Sequence, residues 1–221
     1  MKIKNPTRRP GKGRRASGGR YHHGDLKAAL LKAAEAELAE KGVSGFTLRS
    51  CARRAGVSHA APAHHFPDMT SLLTEMAATG FEKLTASMRH WRARAESSPR
   101  AQFAASGRGY IDFALRHPQH FLLMFGGAAL DRTNERLMSA GEAAFGELLE
   151  VVAAITGTRD PLKQRAQRIG VVGAWSLVHG FAKLRIETTS FGQLIPTGAV
   201  EENADIHELL DRAVALLRAA R

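Results

Sequence analysis

The chain has 221 residues, 44% of them hydrophobic and 24% charged, with a formal net charge of +11. That length holds one good-sized core or a small head with a larger body, and the apolar share excludes wholesale disorder. Cys51 is the only cysteine, which excludes an intrachain disulfide, and the longest nearly apolar run, Phe121 to Leu130, is too short for a bilayer, so the expected location is the cytoplasm with no membrane partner.

The charge is concentrated at the front. Residues 1–66 hold 14 Lys and Arg against 4 Asp and Glu, whereas residues 67–221 hold 18 against 17. A basic head on a neutral body points to a polyanion partner at the N-terminal end, either nucleic acid or an anionic surface. Residues 1–20 are rich in Lys, Arg, Gly and Pro without hydrophobic periodicity, and read as a disordered arm. Such an arm either follows a DNA groove, with Arg14, Arg15 and Arg20 best placed to reach it, or is a solvated tail.

A first helix is predicted from about Asp25 to Lys41, where Leu26, Ala29, Leu30, Ala33, Ala34 and Leu38 recur at three- and four-residue steps before Gly42. Thr47 can cap a second helix running to Ala55, Gly56 breaks it, and Ser58 can cap a third that ends near Phe66. Two short helices around a tight joint make a helix-turn-helix, and Arg49, Arg53 and Arg54 lie on faces of the second helix that can meet phosphate.

From Met69 onward the pattern is helix, short break, helix. The segments are a connector to about Ala95, then Gln102–Arg116, Gln119–Phe125, Glu135–Thr156, Pro161–Glu187 and Ala204–Ala219, with Thr188–Val200 as the one longer loop. The fold class is therefore all-α: a three-helix helix-turn-helix head over residues 21–68, followed by a helical bundle over 69–221.

Phe46, Thr47, Leu48 and Arg49, then Ala52, Ala55, Gly56, Val57 and Ser58, then His65, Phe66 and Leu72 resemble the DNA-binding region of the TetR family over roughly Tyr21 to Leu73. The resemblance implies a transcription regulator whose third helix enters the major groove of an operator, the family's usual case being a repressor released from a palindromic site by a small-molecule ligand, with 69–221 as the ligand-sensing and dimerisation domain. It assigns Thr47 to phosphate positioning, Arg49 to phosphate or a base edge, and Ser58, His59, Ala60, Ala61 and His64 to the groove-facing surface; His65 packs or touches phosphate, and Arg20 and Tyr21 complete the expected DNA contacts. Three positions depart from the family pattern: Pro62 and Ala63 replace a common Leu-Tyr pair, and Met69 a common Lys. Pro62 falls four residues after Ser58, where its ring disturbs a helix, so a short or bent recognition helix is allowed.

Trp175, His179 and Gly180 form a Trp-x-x-x-His-Gly run that resembles one subgroup of TetR-like C-terminal domains. On the same helix Ala166, Gly170, Gly173, Leu177, Gly180 and Leu184 make a stripe of mostly small residues that another helix can approach, read as dimer-facing. Ile206, Leu209, Leu210, Ala213, Val214, Leu216 and Leu217 form an apolar band on the last helix, which either joins a homodimer interface or closes the chain's own core. Phe113, Phe121, Met124, Phe125, Trp175 and His179, with Met138 and Phe145, are candidates for a ligand pocket or for plain core packing.

No cofactor or metal is expected. His22, His23, His59, His64 and His65 crowd the head, but no cysteine or carboxylate framework of zinc spacing accompanies them. No nucleophile elbow, phosphate-cradling loop or paired-acid motif suggests an enzyme. The partners expected are double-stranded operator DNA, a second copy of the chain and a small-molecule effector. The competing function is that of a sequence-independent, nucleoid-type DNA-binding protein that uses its basic arm as a polycation.

Overall fold

The computed structural model describes residues 23–187, 200 and 204–219, and among these it contains eight α-helices and no strand. Arg20, Tyr21 and the rest of the basic arm lie outside the described residues, as do residues 188–199 of the stretch predicted as a loop. The helices are α1 (His23–Lys41), α2 (Leu48–Arg54), α3 (Met69–Arg92), α4 (Pro99–Arg116), α5 (Pro118–Phe125), α6 (Glu135–Thr156), α7 (Arg165–Glu187) and α8 (Ala204–Ala219).

Local chemistry sets most of the helix starts. Thr47 Oγ1 accepts from the Ser50 N–H at 3.1 Å while Ser50 Oγ accepts from the Thr47 N–H at 3.0 Å, a reciprocal cap on α2. Asp68 and Ser71 repeat it on α3, and Asn134 Oδ1 accepts from the Leu137 N–H at 3.0 Å on α6. Pro99 and Pro118 occupy the first position of α4 and α5, where the missing N–H costs nothing because no carbonyl would receive it.

The third helix of the head is a correction to the expected element. Instead of an α-helix from Ser58 to Phe66, the chain makes one turn of 3₁₀ helix, Ala61–His64. Pro62 has no N–H to donate to the Ser58 carbonyl, which instead accepts from the Ala61 N–H at 3.0 Å, and His65 then donates to the Pro62 carbonyl at 2.9 Å. Pro62 is itself buried, so its ring anchors the turn while Ala63 and His64 stay outside.

One apolar cluster runs from head to body. Leu30, Ala34 and Leu38 of α1 pack with Phe46, Cys51 and Phe66, and Leu72, Met76 and Ala77 of α3 carry the cluster on to Ile111, Phe113, Phe121 and Leu123. A second cluster at the far end joins Phe103, Val151, Val152, Ile155, Val171 and Val214. Helix α3 is the spine, packed along α4 and α6. At the α3/α4 crossing a Cβ on Gly109 would lie 2.5 Å from Met88 Cα, so only glycine allows that approach. Buried Glu147 of α6 accepts from Arg89 Nε at 2.6 Å and is also paired with Arg92, which fixes α6 to the same spine.

Candidate functional site

The outer face of the head is built by α2 and the segment after it. Gly56 takes φ +69° and reverses the chain, with the Val57 N–H donating to the Ala52 carbonyl at 3.0 Å. Thr47, Arg49, Arg53, Ser58, His59, Ala60 and His64 are exposed, and Ala61 and His65 are half-buried. Arg49 and Arg53 enter no salt bridge among the described residues.

Arg54 is differently placed. Its Nε donates to Glu37 Oε1 at 2.6 Å and its Nη1 to Glu40 Oε1 at 2.8 Å, so it ties α2 to α1. Hydrogen bonds from Lys41 and Arg54 hold the buried Glu37 carboxyl down at about 2, against the burial that would raise it.

The head meets the body through charged contacts around the shared core. Lys27 Nζ lies 3.0 Å from Glu75 Oε2, which Arg136 also approaches at 2.9 Å, and Lys83 Nζ donates to Glu35 Oε1 at 2.8 Å. Beside that pair stands His120 of α5, 7% exposed, with Nε2 3.9 Å from Glu35 Oε1 and no hydrogen-bond partner. Burial, then the Lys83 charge, push its imidazole down to about 4, so it is neutral at pH 7.

In the body, α3, α4, α6 and α7, with Phe125 of α5, line a cavity of about 260 Å³ that is open on one side, where Phe145 and Trp175 are exposed. Phe81, Phe103, Tyr110, Phe125, Phe145 and Trp175 supply its aromatic walls, and Leu84, Met88 and Val178 much of the remainder. Its polar edge is a short chain of groups: Trp175 Nε1 donates to the Tyr110 hydroxyl at 3.4 Å, and that hydroxyl lies 2.7 Å from His179 Nδ1. Burial, then Lys183, lower the His179 pKa, while burial raises that of Tyr110, so the site disfavours charge on either group.

Of the sequence-selected residues, Phe125, Phe145 and Trp175 stand in the cavity wall. His179 lies behind Tyr110, and Phe113 and Phe121 are buried in the main cluster. Met124 and Met138 line a neighbouring depression that shares Phe81 and Gly141 with the cavity. Phe81, Leu84 and Met88 escape sequence reasoning because α3 reads as a connector, and its strong amphipathic pattern is the signal that it borders an interior.

Outside the cavity, α7 leaves an apolar face uncovered. Ile169 and Val172 are each 57% exposed and Leu184 52%, and a Cβ on Gly173 or Gly180 would meet nothing within 4 Å. The exposed stripe is rotated from the one read in the sequence, since Gly170 is buried and Leu177 packs against the chain's own second cluster. Ile206, Leu210 and Val214 of α8 turn into the core; the side chains of Ala213, Leu216 and Leu217 lie outside the described residues. Among the described residues no group of His, Cys, Asp and Glu is arranged to hold a metal ion, and no helix is long and apolar enough to cross a membrane.

A helix-turn-helix head on an all-helical body with a cavity is the architecture of a DNA-binding regulator. The sequence profile "Bacterial regulatory proteins, tetR family" matches residues 30–76, and "Tetracyclin repressor-like, C-terminal domain" matches 103–217. The chain belongs to the TetR family of DNA-binding transcriptional regulators, which are in general not enzymes. A protein of unknown function from Rhodococcus sp. RHA1 is 34% identical, with 91% of this chain and 98% of that one aligned at a TM-score of 0.70. The TetR family regulator PfmR from Thermus thermophilus shares the fold at 16% identity and a TM-score of 0.59, covering 86% of this chain and 97% of its own. RolR, solved in complex with resorcinol, does so at 20% identity and 0.54, covering 86% and 95%. No curated protein matches the chain.

Proposed function

We propose that the protein is a cytoplasmic, dimeric repressor that leaves a near-palindromic operator when a small molecule occupies the body cavity. The observation that carries this reading is the apolar cluster that runs from Phe46, Cys51 and Phe66 of the head to Leu84, Met88 and Tyr110 in the cavity wall. A ligand pressing on Phe81 or Phe125 acts on α3 and α5, the helices packed against α1 of the head. The nucleoid-type alternative is not favoured by membership of a regulator family.

In this reading the arm is 1–20, the DNA-binding unit 21–68 and the sensing and dimerising unit 69–221. Thr47 and Arg49 hold phosphate or a base edge, Ser58, His59, Ala60, Ala61 and His64 face the groove, and His65, Arg20 and Tyr21 flank it. The cavity residues Phe125 and Trp175 meet ligand directly, with Phe113, Phe121, Met124 and His179 as supports. The run of Trp175, His179 and Gly180 supports reading the chain as one of a Trp-x-x-x-His-Gly subgroup of TetR-like C-terminal domains. RolR's resorcinol complex supports the idea that this fold takes a small molecule.

The dimer forms through α7 and sets two recognition turns about 34 Å apart, or a multiple of that, along B-DNA. The recognition surface is mainly alanine and histidine, so it reads thymine methyl groups and DNA shape more than hydrogen-bonding edges. Release requires that ligand bind the DNA-incompetent state more tightly. The test is selection of sites from a random DNA pool by purified protein at near-physiological salt. An enriched palindrome is expected; binding without enrichment would overturn the sequence-specific reading.

A further inference from the structure

Whichever genes are controlled, the cavity constrains what can occupy it. Six aromatic side chains wall it, and among the described residues no charged side chain lines it. An ionised ligand would set its charge against this apolar lining with no counter-charge to meet it, which is costlier than placing a neutral group there. At about 260 Å³ the volume sits just under the usual range for ligand pockets, roughly 300–1,000 Å³, so the occupant is small.

The polar edge narrows the class further. The Tyr110 hydroxyl lies 2.7 Å from His179 Nδ1 and its oxygen already accepts from the indole; we assign its one proton to Nδ1, the arrangement that leaves no donor idle, so the oxygen can accept from a newcomer but not donate to it. Trp175 Nε1 offers the complementary donor, and its 3.4 Å bond to Tyr110 is long enough to be given up at little cost. A group set between them must accept from the indole and donate to the phenol oxygen. A hydroxyl does both; a carboxylate or ketone cannot donate.

We infer that the effector is a small, uncharged aromatic molecule carrying a hydroxyl, which bridges Trp175 Nε1 and the Tyr110 hydroxyl oxygen while its ring stacks among Phe81, Phe125 and Phe145. This deepens the cavity reading and rests on it.

The test uses the full chain and three probes of one shape, 2-naphthol, 2-naphthoate and naphthalene, titrated by calorimetry at pH 7. Two variants accompany it: Tyr110→Phe, which removes the acceptor, and Gly141→Leu, whose added Cβ meets nothing within 4 Å and whose side chain fills the cavity. The naphthol is expected to bind roughly a hundredfold more tightly than the naphthoate. Tyr110→Phe should weaken naphthol about fivefold and leave naphthalene unchanged, and Gly141→Leu should abolish both. Naphthoate binding as tightly as naphthol, yet lost in Gly141→Leu, would overturn the ligand class and leave the cavity as the site. Naphthol binding indifferent to Gly141→Leu would overturn the cavity reading itself. Failure of all three probes to bind would overturn the ligand class, with operator selection deciding the wider function separately.

Discussion

Replacing Gly173 by leucine gives opposite signs in two measurements if α7 is a dimer face. Within one chain the change is benign, because a Cβ there meets nothing within 4 Å. Leucine is a better helix former than glycine by about 0.7 kcal/mol, so each protomer should gain that much. Across a two-fold axis the same side chain appears twice in one contact. Overpacking a close helix crossing costs roughly 1–3 kcal/mol per site, so the dimer should lose about 2–6 kcal/mol, a factor of about 30 to 10⁴ in Kd. Sedimentation equilibrium gives the Kd, and urea unfolding at a concentration where both proteins are monomeric gives the protomer stability. If the Gly173→Leu variant dimerises like the parent, the assignment of α7 is refuted, and the exposed Ile169 and Val172 then need another explanation.

Thr47→Ala should cost about 1 kcal/mol of stability by removing half of the reciprocal cap on α2, and should weaken operator binding as well; Thr47→Ser should restore most of both in paired unfolding and gel-shift assays. Glu37→Gln tests the α1/α2 tie. The carboxyl titrates at about 2 in the fold against 4.5 when unperturbed, so its contribution is complete above pH 4.5 and fades as pH falls toward 2. The variant should lose about 2 kcal/mol at pH 7, after allowance for the partly exposed Arg54 and Lys41, and should show a shallower acid limb; an unchanged pH profile would mean the ion pair is ornamental. Pro62→Ala restores the missing donor, so circular dichroism should show a small gain in helix while operator preference changes, measurable as an altered enriched site. Unaltered selection would mean that the 3₁₀ turn does not set base readout.

How much of this molecule is legible in its sequence follows from the range of each interaction. Caps and breaks are local: the chain's own residues suffice to place Thr47, Gly42 and Gly56, and the periodicity of Glu135–Thr156 bounds that helix correctly. Proline is harder because its effect depends on where a helix has already begun. Pro99 and Pro118 open helices whose predicted starts lie a little downstream, whereas Pro62, set among small residues, collapses a predicted α-helix into one 3₁₀ turn. The site residues contributed by α3 are hidden for a different reason. Leu84 and Met88 carry the same apolar periodicity whether they face a packed neighbour or a void, and only the spacing of α4 and α6 around them decides which. Close crossings at Gly109 and salt bridges to Glu147 set that spacing, and both join residues far apart in the chain. The cavity is thus a property of the helix arrangement, while its chemistry, Tyr110 held between Trp175 and His179, belongs to two helices that the sequence shows only one at a time.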